Sequence, residues 1–62
     1  MNLKHDKLLK KALKFHSTGD IIRAQNLYSE ILILEPNNLI ALVNQGAIFI
    51  DLMFLNRAIR NL

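Results

Sequence analysis

Chemistry in this chain would have to come from two histidines, a few carboxylates, one Ser-Thr turn and a row of lysines. His5 and His16 lie eleven residues apart, which is about 16 Å along a helix. They cannot share a metal ion. His5 and Asp6 are adjacent, and adjacent residues on a helix do not face each other. Both histidines therefore read as solvated surface groups. Ser17 stands near His16 and Asp20, but Ser17-Thr18-Gly19-Asp20 is what a tight turn between two helices requires. No nucleophile, base and orienting group fall together. There is no Gly-rich phosphate loop and no metal-ligand spacing. The expectation is a non-enzyme with no cofactor, no metal and no small-molecule substrate.

The lysines form the one charged pattern. Lys4, Lys7, Lys11 and Lys14 recur at steps of three and four and so line one helical face, with Lys10 at its edge. Such a face could meet an acidic partner, an anionic membrane or nucleic-acid phosphates. It is also the ordinary solvated complement of an apolar stripe. No aromatic is interleaved for base stacking, which counts against single-stranded nucleic acid. Nucleic acid and membrane are therefore not the expected partners.

The chain has 62 residues, 52% of them hydrophobic, a net charge of +3 and no cysteine. It is too apolar for a disordered tail. It has no disulfide and no thiolate for zinc. At this size a core is marginal, and a partner or neighbouring repeats normally supply the rest. The expected location is cytoplasmic. No secretory signal pattern is visible, because lysines interrupt the first sixteen residues. The stretch from Leu39 to Leu55 contains Asn44, Gln45 and Asp51 and is shorter than the roughly 20 apolar residues of a spanning helix.

Two punctuation marks divide the chain. Gly19 can end a helix in the left-handed conformation, and Asp20 can cap the next. Pro36 cannot continue a helix, and an asparagine after it can cap the third. Between the marks, Ile21, Ala24, Leu27, Tyr28, Ile31 and Leu32 repeat at helical spacing. Leu8, Ala12 and Phe15 do so before them, and Leu42, Gly46 and Phe49 after. The spacing predicts three antiparallel helices, a turn at Leu52-Met53-Phe54-Leu55, and a fourth helix starting near Asn56.

The pairs Leu8 and Leu42, Ala12 and Gly46, Phe15 and Phe49, and Ala24 and Ala58 each stand 34 residues apart. That period in a helix–turn–helix unit is the tetratricopeptide length. The chain resembles that family by motif as well. Leu8, Lys11, Ala12, Phe15, Ala24, Tyr28 and Pro36 occupy the signature places of a first copy. Leu42, Gln45, Gly46, Phe49 and Ala58 occupy those of a second, with Leu62 where an aromatic would be. Gly19 opens the first hairpin turn, and the second has no glycine. The fold class expected is all-α: antiparallel hairpins forming a fragment of a tetratricopeptide-like α-solenoid. One module spans residues 1–62, with repeat one over about 5–38 and an incomplete repeat two over about 39–62.

The resemblance implies a protein-interaction module that binds a peptide, a helix or a neighbouring repeat. Its groove would be lined by Asp6, Leu9, Leu13, His16 and Ser17 in the first copy. In the second it would be lined by Ile40, Val43, Asn44, Ala47, Ile50 and Asp51. Ile48, Ile50, Leu52, Met53 and Phe54 make an apolar surface that could self-associate. Two alternatives remain open at this point: the N-terminal part of a longer protein such as a transferase, or a basic amphipathic peptide at a membrane surface.

Overall fold

A computed structural model describes residues 3–60, with side chains described through Arg57. The described residues are three helices and no strand: α1 Leu3–Ser17, α2 Ile21–Leu34 and α3 Leu39–Arg60. The fold is all-α.

The first turn is a complete helix stop. Gly19 has φ +85°, the left-handed region. Asp20 N–H donates to the carbonyl of Phe15 (2.9 Å), and Gly19 N–H donates to that of His16 (3.2 Å). These two bonds are the Schellman motif and satisfy carbonyls that α1 leaves open. Ser17 Oγ donates to Lys14 O, and Thr18 Oγ1 donates to Phe15 O. Asp20 then caps α2 by accepting from Arg23 N–H at 3.3 Å. The second turn works differently. Glu35 N–H closes α2 on Ile31 O, Pro36 cannot extend it, and Asn38 Oδ1 caps α3 by accepting from Ala41 N–H.

α2 is the middle helix and packs on both neighbours. Ala12, Ala24, Tyr28, Ile31, Ala41 and Ile48 are buried, with Leu8, Leu9, Phe15, Ile21, Leu27 and Leu32 packed around them. Ala12 and Ala24 are wholly buried, and two methyl groups let α1 and α2 approach closely. Phe15 and Tyr28 fill the space beside them. A fully buried side chain the size of Ile31 stabilises the fold by about 1.5–3 kcal/mol.

The second copy departs from expectation. Helix α3 runs unbroken through Leu52-Met53-Phe54-Leu55, and no fourth helix starts near Asn56. Those four residues include no Gly, Pro, Asn or Asp to stop a helix, and Leu and Met are strong helix formers. The unbroken helix changes the setting of Leu42, Gly46 and Phe49. Their counterparts Leu8, Ala12 and Phe15 pack against the next helix, α2. Among the described residues no next helix folds back, and Leu42 is 46% and Phe49 54% exposed. A Cβ added at Gly46 would meet no neighbouring element within 4 Å. The face that packs on α2 carries Ala41 and Ile48 instead, and Gln45 Nε2 donates to Ser29 Oγ at 2.8 Å. The side chain of Ala58 lies outside the described residues.

Two substitutions probe the turn and the core. Gly19→Ala has space for its methyl group but must hold a left-handed φ. It should lower stability in urea by about 1–2 kcal/mol. Both amide atoms of Gln25 are buried without a hydrogen-bond partner in the protein. Gln25→Met should raise stability by about 1 kcal/mol, because an unpaired buried amide is replaced by an apolar group of similar length.

Candidate functional site

The residues expected to line a groove stand on α1 and α3. On α1, Leu9 is half-buried against the core and Leu13 is 38% exposed. A shallow depression there is lined by Leu3, Asp6, Lys7, Leu9, Lys10 and Leu13, all from α1. On α3, Ile40, Val43, Ala47 and Ile50 are exposed. Asn44 turns back on its own helix, its Nδ2 donating to Ile40 O at 2.8 Å.

Neither histidine is the solvated surface group that its spacing suggested. His16 is half-buried, and its Nδ1 lies 3.1 Å from the Tyr28 hydroxyl. The two rings meet edge to face, with centroids 6.0 Å apart. His5 is also half-buried. Its Nδ1 lies 2.9 Å from Glu35 Oε2, at an angle outside hydrogen-bond geometry. Both rings bridge the start or end of α1 to α2. The sequence carried a weak signal for this: each histidine stands one step of three or four from the apolar stripe of α1. Ser17 and Asp20 are engaged in the turn itself. Among the described residues no three His, Cys, Asp or Glu stand together to hold a metal.

Lys7, Lys10, Lys11 and Lys14 are exposed on α1, as is Lys4. Arg23 on α2 lies over the Phe15 ring, 5.6 Å from its centroid, and reaches Asp20 Oδ2 at 3.5 Å. That arginine is a link between α2 and α1.

The largest unpartnered feature is on α3. Leu39, Val43, Gly46, Ile50, Met53 and Arg57 alternate at steps of four and three, so they share one face. Leu39, Val43, Ile50 and Met53 are all more than half exposed, and Phe49 and Phe54 flank them. Ile50, Met53, Phe54 and Arg57 line a shallow apolar depression at its C-terminal end. The sequence pattern marks Ile50, Met53 and Phe54 but predicts a turn through Met53 and Phe54. That turn would interrupt the continuous row from Leu39 to Arg57, which a count at seven-residue spacing finds. The segment Leu39–Arg57 is 19 residues long, has a mean hydropathy of 1.6 and has about 11% of its residues buried. It is long and apolar enough to cross a membrane by length and composition.

Tyr28 is wholly buried, and that burial raises its hydroxyl above its ordinary value, about 10. Tyrosinate is thus disfavoured in the folded chain and free to form in the unfolded one. The stabilisation is complete below about pH 10 and is lost as pH rises through the folded value. Thermal scans across pH 8–12 should show a fall in melting temperature above about pH 10 that Tyr28→Phe reduces. At neutral pH that variant should cost about 1 kcal/mol, from the lost contact with His16.

No family model matches the chain, and neither a curated protein nor a solved structure does.

Proposed function

We propose that this chain is a non-enzymatic protein-interaction module of tetratricopeptide type, and that its working surface is the exposed stripe of α3. One observation carries the reading. The stripe from Leu39 to Met53 is apolar, continuous and more than half exposed at each of its large residues. Monomeric proteins rarely leave such a patch uncovered unless it binds something. The matching face of α1 supports a helix as the ligand, since there Leu8, Ala12 and Phe15 are covered by α2. An amphipathic helix laid along α3 would satisfy the same kind of surface. The 34-residue spacing and the Ala12–Ala24 packing support the family resemblance. The basic face of α1 stands as solubilising surface on this reading.

A second reading rests on the length and hydropathy of α3, which suit a bilayer. Against it, one side of α3 is packed on α2 and carries Gln45 bonded to Ser29. Asp51 would also have to be accommodated in lipid, at a cost of about 2.5–3.5 kcal/mol at the bilayer centre.

Titration of the isotopically labelled chain with a leucine-heptad amphipathic peptide separates these surfaces. Amide shifts should move along residues 39–53 and leave Lys4–Lys14 in place. Ile50→Asp with Met53→Asp should weaken binding by about tenfold or more. Shifts confined to the lysine face, or flotation with neutral lipid vesicles in place of peptide binding, would count against the proposal.

A further inference from the structure

We infer that the helix seated on the α3 stripe is α3 of a second copy, running antiparallel about a two-fold axis midway between Gly46 and Ile50. This rests on the reading of the stripe as an interface and names its occupant.

The spacing is the first argument. Leu39, Val43, Gly46, Ile50, Met53 and Arg57 are separated by four, three, four, three and four residues, the same from either end. An axis midway sets Gly46 opposite the partner's Ile50, Val43 opposite the partner's Met53, and Leu39 opposite the partner's Arg57. A two-fold interface must be self-complementary in this way. The alternation is also that of a coiled-coil seam, where a side chain of one helix enters a hole in the other.

Gly46 is the second argument. A glycine inside a helix is destabilising relative to alanine. Among the described residues no neighbouring element needs the space, because a Cβ there would contact none of them within 4 Å. Against a second copy the gap receives the partner's Ile50, and the exchange occurs twice. A parallel pair would instead set Gly46 on Gly46 and Ile50 on Ile50, leaving a void beside a clash.

Charge and area agree. The stripe has no charged residue before Arg57. In the antiparallel pair Arg57 lies near the partner's Glu35–Asn38 turn, where Glu35 is 39% exposed, and its apolar stem covers Leu39. The lysines are all on α1, and none lies on the stripe. Leu39, Val43, Ile50 and Met53, with Leu42, Phe49 and Phe54 beside them, are 46–71% exposed. They offer on the order of 700 Å² per copy, close to the roughly 800 Å² per partner of a stable interface.

Sedimentation equilibrium of the full chain over about 1–100 µM tests the pairing in the range where weak dimers form. A dimer is expected. Gly46→Leu finds open space at its Cβ and improves helix propensity, so its fold should persist. Its dimer dissociation constant should rise by about tenfold or more. The chain has no cysteine, so a mixture of Val43→Cys and Met53→Cys chains reports the direction. Mixed disulfides are expected to exceed both homodisulfides. A chain that stays monomeric across the range, a dimer that Gly46→Leu leaves intact, or cross-linking mainly between two Val43→Cys chains would overturn the inference. A monomer that still binds the leucine-heptad peptide along α3 would sink only the pairing. A monomer that binds no peptide there would sink the interaction surface too.

Discussion

The constraint that the rest of the structure depends on is the burial of two alanines, Ala12 on α1 and Ala24 on α2, in one core. Both are wholly buried, and neither side chain extends past a methyl group. Close approach there lets Phe15 and Tyr28 fill the space beside the crossing, and it brings His16 to the Tyr28 hydroxyl. A larger residue at either alanine would overpack the core, which costs about 1–3 kcal/mol in a well-packed site. In a chain this small that is a large share of total stability. The same crossing orients α2 so that Ile31 and Ser29 are available to α3.

The asymmetry between the two halves comes from stop signals. The first hairpin has a glycine that can adopt a positive φ, and the turn around it is closed by backbone and side-chain hydrogen bonds. At the corresponding point of the second half stand four apolar residues with no reason to leave a helix. The result is one long helix with a packed side and a bare side. The bare side is the surface proposed to bind, and it exists because a turn is absent.

Much of this was legible in the residues. Gly19 and Asp20 marked a turn by their backbone and capping chemistry, and Pro36 with Asn38 marked another. The core positions of α1 and α2 followed from helical spacing. What was not legible came from the 34-residue equivalence, which led Leu42, Gly46 and Phe49 to be read as packed like their counterparts. Periodicity records which residues share a face. It does not record whether a partner element exists to cover that face. The half-burial of His5 and His16 has a related cause: each meets a residue distant in sequence, Glu35 and Tyr28.

Every helix contact in this fold is dominated by neighbours in chain order, α1 with α2 and α2 with α3. Local topologies of this kind fold in microseconds to milliseconds. The α1–α2 hairpin, closed by its own Schellman turn, is such a local unit, and α3 joins it through α2.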